Sequence, residues 1–270
     1  MASEFLKENF FIFSILLTVF GLCLGSFCVS FASRICNNKA LFSQRSFCFV
    51  CGKTLQIYEL IPFFSYLFLK AKCRHCGSTI PFFNFLGEVF GGVLVWFAFL
   101  AFWLDCIEFS IWNFIFFLFF LFALFLLSLI DWQLKAVPQF LLWTVFFFAL
   151  CLAFDTDEFA YFFLFENCNG GFFSNAFFFA GFVFLLKNSV AFVKNINTKH
   201  IQENLGDADI IVLASFAGLL GIKSAFVIFV LAGIFSLPFF LWKNEKELAF
   251  LPFLSFAFLV YLFFPYKDIL

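Results

Sequence analysis

The sequence predicts an all-α membrane protein that crosses the bilayer several times. Hydrophobic residues make up 64% of the 270 positions and charged residues only 12%, whereas about a quarter of the residues of a soluble domain are charged. Phenylalanine alone occupies 57 positions, and the mean hydropathy is +1.06. Apolar runs of spanning length recur along the chain. This composition excludes a soluble enzyme.

Apolar segments follow one another from the amino-terminal region onwards. A helix needs about 20 mostly apolar residues to cross a bilayer. The first run is too long for the core of a cleavable signal peptide, so we expect it to remain as a span. The short segments on either side of Lys223 are compatible with a helical hairpin. In total the sequence predicts about eight spans, at 9–31, 82–104, 111–130, 138–154, 172–193, 210–222, 224–242 and 248–265.

Basic residues mark one end of the spans. The polar loop at 34–80 carries seven lysines and arginines against a single acid, Glu59. Such an excess is typical of the cytoplasmic side of a membrane. Alternation then places the acidic loops at 105–108 and 155–166 outside, and the lysine-bearing loops near 135, 194–199 and 243–246 inside. The charges therefore predict that the long polar loop is cytoplasmic.

Two cysteine pairs in that loop have the spacing of a zinc site. Cys48 and Cys51 form one C-x-x-C pair, and Cys73 and Cys76 form the other. Two such pairs are typical of tetrahedral zinc coordination, and a reducing compartment favours thiolate–metal bonds over disulfides. Four thiolates leave no open position for water, so we expect a structural zinc ion. A direct part of the loop in binding a substrate or cofactor is the alternative.

Three aspartates lie where apolar spans begin or end. Asp131 ends one span, and Asp207 and Asp209 precede another. Two crossings separate Asp131 from Asp209, so both are expected at the cytoplasmic face. Adjacent, partly buried carboxylates share a proton, and such a pair activates water and polarises a peptide carbonyl. Plainer alternatives stay open from spacing alone: Asp131 in the headgroup region beside Lys135, and Asp207 or Asp209 as a helix N-cap.

Three sequence blocks between about 21 and 221 carry a resemblance to a known family. They are Gly25-Ser26-Phe27 with Arg34 and the cysteine pairs, Ile130-Asp131 with Pro138, and the segment 203–221. In these blocks the chain resembles the type 4 prepilin peptidases, bifunctional leader peptidases and N-methyltransferases of bacterial pilus and type II secretion systems. The third block aligns with the G-x-G-D motif of the family and places Asp209 on its catalytic aspartate. A shifted register would make Asp207 catalytic instead.

The resemblance implies a function, a location and two cofactors. Asp131 and Asp209 would cleave the leader peptide of prepilins or pseudopilins at the cytoplasmic face of a bacterial inner membrane. S-adenosylmethionine would then serve N-methylation of the new amino terminus, and zinc would be structural. The resemblance divides the chain at residue 104, into a methyltransferase-associated region at 1–104 and an aspartyl peptidase membrane domain at 105–270. Val29 and Ile211 stand where the family has asparagine and lysine.

Two other classes of protein are compatible with the same residues. Acids near spans, here Asp131, Asp209 and Glu88, also carry ions in membrane transporters. A secretion scaffold would use the cysteine loop for docking and need no chemistry. A metalloprotease is disfavoured because the only histidines are His75 and His200, with no H-E-x-x-H motif. No phosphate loop or nucleic-acid module is evident, so we expect prepilin substrates and membrane lipid as partners and no nucleic acid.

Overall fold

The protein is described by a computed structural model that covers residues 10–40, 45–48, 50–103, 111–153, 171–195, 206–243 and 248–263. Within these ranges the regular structure is helical, and β-pairing is limited to two isolated bridges. The chain divides into two compact units, Met1–Leu104 and Asp105–Leu270. The acidic loops that were used to predict the orientation, at 105–108 and 155–166, lie outside the described residues.

Each predicted span corresponds to a helix. Five of the helices in the described ranges are long and apolar enough to cross a membrane, which confirms an all-α polytopic membrane protein. The helices at 139–153, 207–220 and 251–263 are shorter, with 15, 14 and 13 residues. In chain order the described α-helices are α1 Phe10–Cys36, α2 Phe64–Phe68, α3 Phe82–Trp103, α4 Ile111–Leu134, α5 Gln139–Ala153, α6 Phe172–Asn195, α7 Asp207–Leu220, α8 Ile222–Lys243 and α9 Leu251–Phe263, with one 3-10 helix at Ile57–Leu60.

Glycines let helices α1 and α3 pack closely in the first unit. A Cβ atom at Gly91 would lie 2.5 Å from the carbonyl oxygen of Gly21 and 2.5 Å from the Cα of Gly25. Small residues are the usual means by which membrane helices approach backbone to backbone. The indole N–H of Trp96 also donates to the Thr18 hydroxyl at 2.9 Å. Gly25, part of the sequence block that carries the resemblance, is thus a packing residue.

Glu88 links three segments of the first unit. Its Oε1 accepts a hydrogen bond from the Ser26 hydroxyl of α1 at 2.8 Å. Its Oε2 accepts one from the backbone N–H of Phe63 at 2.7 Å. Phe63 has a φ of 66°, a conformation that is unfavourable for a bulky residue without such support. Both carboxylate oxygens of Glu88 therefore hold the polar loop against α1 and α3.

Phenylalanine rings fill the core of the second unit. Helix α4 is central, since 61% of its span at Trp112–Leu134 is buried against 17% for Ile222–Trp242 of α8. Phe120 of α4, Phe216 of α7 and Phe258 of α9 are fully buried. The Phe216 and Phe258 rings stack with centroids 4.7 Å apart, and the Phe120 ring meets Phe258 edge-on at 5.5 Å. Aromatic packing of this kind joins three helices at one point.

Several helix boundaries differ from the predicted spans. Helix α1 continues through Arg34, and α4 continues past residue 130 to Leu134, so Asp131 is inside a helix rather than just after it. The backbone remains helical beyond the apolar core because helical hydrogen bonding also serves polar residues at the membrane edge. Lys135, with a φ of 53°, ends α4. The turn between α7 and α8 lies at Gly221, with a φ of 87°, rather than at Lys223.

Candidate active site and metal centre

The four loop cysteines lie in two tight turns with the same backbone pattern. Gly52 and Gly77 each donate a backbone N–H to the carbonyl of the first cysteine of their pair, at 2.8 and 2.9 Å. Both glycines have a φ of +70°, a left-handed conformation that costs other residues about 1–2 kcal/mol. An isolated antiparallel bridge closes each turn, between Phe47 and Thr54 and between Lys72 and Thr79. The C-x-x-C-G sequence therefore builds two matching knuckles.

The sulfur atoms of these cysteines form a cluster that fits a metal ion. The Sγ atoms of Cys48, Cys51, Cys73 and Cys76 all lie within 4.8 Å of one another. The Cys48 and Cys76 sulfurs are 3.9 Å apart. Zinc–sulfur bonds of about 2.3 Å in a tetrahedron place sulfurs roughly 3.8 Å apart. The predicted ligand set is thus brought together with spacing that suits zinc.

Neighbouring donors favour the thiolate at Cys48 and Cys76. Against the backbone N–H of Lys53, burial and the neighbouring Cys48 and Cys76 raise the pKa of Cys51 to about 11. The backbone N–H of Cys51 lowers the pKa of Cys48 from 9.0 to about 6, against the opposing effect of burial. The Ser78 hydroxyl lies 3.0 Å from the Cys76 sulfur and 3.7 Å from that of Cys48. Metal binding requires deprotonated cysteine. The lowered pKa of Cys48 and Cys76 therefore favours metal binding by these two residues.

Asp131 is buried in the last turn of α4. Its side chain is only 8% exposed, and its Oδ2 accepts a hydrogen bond from the backbone N–H of Leu251 at 3.2 Å. Leu251 is the first residue of α9, and a helix N-terminus offers both an unpaired N–H and a favourable dipole to a carboxylate. The start of α9 thus fixes Asp131 in position.

Asp209 is buried in the first turn of α7, ahead of the predicted span at 210–222. Its side chain is 6% exposed, and its Oδ2 accepts the backbone N–H of Gly206 at 3.1 Å. Gly206, with φ −73° and ψ 151°, is the N-cap of the helix. The alternative that Asp207 or Asp209 is itself the N-cap does not hold, because Asp207 is the first helical residue and Asp209 the third, with its side chain reaching back to the cap.

The structure brings Asp131 and Asp209 close enough to interact electrostatically. Burial, and after it the negative charge of Asp131, raise the pKa of Asp209 from 3.8 to about 7. The N–H of Gly206 and the charge of Lys187 oppose the shift. Because two nearby carboxylates out of water do not both ionise easily, the arrangement suits a pair that holds one proton near neutral pH.

Asp207 lies in a different environment from Asp209. Its side chain is 83% exposed, and its Oδ1 accepts an ion-paired hydrogen bond from the Nζ of Lys187 at 2.7 Å. Asp207 is therefore solvated and neutralised by a lysine, whereas Asp209 is buried beside a second acid.

Lys187 is the neighbour of the site that the sequence interpretation missed. It lies in α6, and only 9% of its side chain is exposed. The signal was present, because a lysine within an apolar span is a functional candidate by default. The predicted span at 172–193 contained it, yet only acidic residues near the spans were singled out.

The protein is thus a polytopic membrane protein. Its four-sulfur cluster is a candidate metal centre, and its buried pair of acids is a candidate acid–base site. Residues 19–102 match the family model of the bacterial peptidase A24 N-terminal domain. That segment contains the cysteine knuckles, the close glycine contact and Glu88. Asp131 and Asp209 lie beyond it.

Similar proteins carry one name in three bacteria, prepilin leader peptidase/N-methyltransferase. The chain is 45% identical over 67 residues to that of Bacillus subtilis, covering 25% of this chain and 27% of the relative. It is 40% identical over 83 residues to that of Myxococcus xanthus, covering 31% and 25%. It is 32% identical over 103 residues to that of Vibrio cholerae, covering 35% and 40%. No solved structure matches the chain.

These matches support the resemblance to the type 4 prepilin peptidase family that the motifs predicted. The matches cover less than half the length of these curated relatives. The match to the family model lies entirely within the first compact unit. The assignment of the acidic site in the second unit therefore depends on the geometry of that unit.

Proposed function

We propose that this protein is a prepilin leader peptidase whose catalytic pair is Asp131 and Asp209. The observation that carries the proposal is the juxtaposition of two buried carboxylates, one at the end of α4 and one at the start of α7, within electrostatic reach of each other. Asp209 is preferred to Asp207 because Asp207 is exposed and paired with Lys187. The relatives in three bacteria, whose names contain the same activity, support it.

The chemistry follows from a pair that holds one proton. The ionised carboxylate accepts a proton from water, and the oxygen of that water bonds to the scissile carbonyl carbon. The neutral carboxyl group donates a hydrogen bond to the carbonyl oxygen and stabilises its developing charge. When the carbon–nitrogen bond breaks, the leaving amine takes up a proton from the pair. No covalent intermediate with the protein is required.

The position of the pair suits a substrate that lies partly in the membrane. Asp131 is followed by Lys135 at the end of α4, and basic residues at span ends favour the cytoplasmic side. A leader with positive charge would stay in the cytoplasm while the apolar helix of the prepilin or pseudopilin lies in lipid. The scissile bond would then reach the membrane edge, where both acids are. The proposed location is accordingly a bacterial inner membrane, with the site facing the cytoplasm.

Two cofactors belong to the proposal. A zinc ion held by the cysteines of the two knuckles would serve the fold of the loop, since four thiolates leave no site for water. S-adenosylmethionine would supply the methyl group for the new amino terminus after cleavage. The functional division at residue 104, with methylation associated with 1–104 and proteolysis with 105–270, is part of the same proposal.

The test is cleavage of a prepilin-type peptide with a basic leader, a glycine before the cut and a phenylalanine-led apolar segment. We expect the reconstituted full chain to release the leader, and the product mass to rise by one methyl group when S-adenosylmethionine is added. Asp131→Asn and Asp209→Asn should each lower kcat by at least about 100-fold, because each removes a proton-transfer group worth two to four orders of magnitude.

Asp207→Asn is the matched control, since it changes an acid two residues from Asp209. It should retain cleavage within about tenfold of the unsubstituted protein. Loss of activity in Asp207→Asn with retention in Asp209→Asn would reverse the assignment. Full processing by Asp131→Asn would refute the paired mechanism, and a scaffold or transporter role would then become the better explanation.

A further inference from the structure

A lysine is buried in an apolar helix beside the acidic pair. Lys187 lies within the candidate span Phe172–Phe192, and its side chain is 9% exposed. Burying an ammonium group is strongly unfavourable unless it is paired and hydrogen-bonded. Its position therefore requires compensation from a neighbouring element, and helix α7 packs against α6.

The compensation comes from the first turn of α7. The Nζ of Lys187 donates to Oδ1 of Asp207 at 2.7 Å. Asp207 is 83% exposed, and ion pairs with a solvated partner contribute only about 0–1 kcal/mol. The pair with Asp207 is thus a weak one. The charge of Lys187 also acts on Asp209, which is buried and stands two residues further along the same turn.

We infer that Lys187 is a positioning residue of the acidic pair. Asp207 anchors its ammonium group, and that group favours the ionised form of Asp209, so that one carboxylate of the pair serves as a base near neutral pH. The catalytic consequence rests on the proposed peptidase function, whereas the electrostatic role rests on the ion pair between α6 and α7 and on the charge that Lys187 exerts on Asp209.

The charged groups around Asp209 are few among the described residues. Its own helix supplies Asp207, α4 supplies Asp131 and α6 supplies Lys187. Helix α5, which packs against α7, has no Asp, Glu, Lys, Arg or His. Helix α8 carries Lys223 as its second residue, next to the C-terminal end of α7, and ends at Lys243. Lys223 is therefore a lysine on a helix in contact with α7 but at the opposite end from Asp209.

Loss of the ammonium group has a predictable sign. A nearby cation stabilises carboxylates, and an opposite charge within about 4–6 Å lowers a carboxyl pKa by 1–3 units. Without it, both protonation steps of the pair move to higher pH, since the steps belong to the pair rather than to one residue. The pH range in which the pair holds one proton then moves as a whole to higher pH.

The test uses the full chain in lipid nanodiscs and two readouts. The infrared absorption of neutral carboxyl groups is followed against pH, with Asp209→Asn to assign the band. In parallel, kcat/KM for the prepilin-type peptide is measured against pH. For Lys187→Met we expect both midpoints to move to higher pH, by up to about one pH unit, with up to roughly tenfold lower kcat/KM on the acidic limb. Lys187→Arg and the control Lys223→Met should reproduce the original curves.

Each outcome bears on a distinct claim. An unshifted infrared midpoint in folded Lys187→Met overturns the inference, and leader cleavage by the same sample would leave the proposed function intact. An equal shift in Lys223→Met also overturns it, because the effect would then be one of total charge. A shifted midpoint in a protein that never cleaves the peptide supports the electrostatic role and refutes the peptidase proposal. If Lys187→Met does not fold, Lys187→Gln, which keeps a donor for Asp207, is titrated in its place.

Discussion

The contact between helices α1 and α3 predicts a large effect from one added methyl group. In Gly91→Ala the new Cβ would lie 2.5 Å from backbone atoms of both Gly21 and Gly25. Backbone atoms cannot rotate away, so the helices must separate. Overpacking costs about 1–3 kcal/mol, and alanine returns about 1 kcal/mol through helix propensity. From the upper end of the overpacking range we expect Gly91→Ala to lower the stability of the contact between α1 and α3 by about 2 kcal/mol.

The neighbouring glycine provides a matched control on the same helix. In Gly92→Ala the nearest atom is a side-chain carbon of Leu22 at 3.4 Å, and a flexible side chain can yield. The assay is the alkylation rate of Cys28, which is 4% exposed and one turn after Gly25. A loss of 2 kcal/mol corresponds to alkylation about 30-fold faster, whereas Gly92→Ala should leave the rate unchanged or lower it. Equal rates in the two variants would refute the close-contact argument.

Two further predictions concern the metal and the pH dependence of stability. The purified protein should contain about one zinc ion per chain by elemental analysis. The Cys73→Ser variant should lose this zinc, whereas Cys23→Ser, which changes a cysteine outside the cluster, should keep it. Zinc retained by Cys73→Ser would exclude the four-sulfur site. Because the pKa of Asp209 is raised from 3.8 to about 7 in the folded protein, its contribution to stability is full below about 3.8 and is lost as the pH rises through about 7. Detergent unfolding should therefore show stability falling from pH 5 to pH 8 more steeply in the original protein than in Asp209→Asn, and parallel curves would contradict the raised pKa.

The cysteine cluster was predictable from sequence because its geometry is local. Each C-x-x-C-G segment forms its own knuckle through short-range hydrogen bonds, with glycine at the left-handed position. Only the approach of the two knuckles needed the fold. The apolar spans were predictable for a similar reason, since length and hydropathy decide them within each segment. Their ends were less predictable, as the extension of α4 through Asp131 shows.

The environment of the acids was not predictable from spacing. Asp207 and Asp209 are two residues apart in one helical turn, so their side chains leave the helix axis in directions that differ by more than half a turn. One therefore points to solvent and Lys187, and the other points into the helical core. Which one does so depends on how α7 packs against α5 and α6. The role of Leu251 was equally hidden, because the start of α9 lies 120 positions from Asp131.

Backbone N–H groups explain how each acid tolerates burial, but they do not explain why two acids are buried together. Leu251 supplies one donor to Asp131 and Gly206 supplies one to Asp209. An asparagine at either position has an amide oxygen that would accept the same hydrogen bond, without a charge to desolvate or a like charge to oppose. Stability alone would therefore favour an amide at one of the two positions. Local arrangements that work against stability are expected where a protein needs chemistry, and this pair of carboxyl groups is such an arrangement.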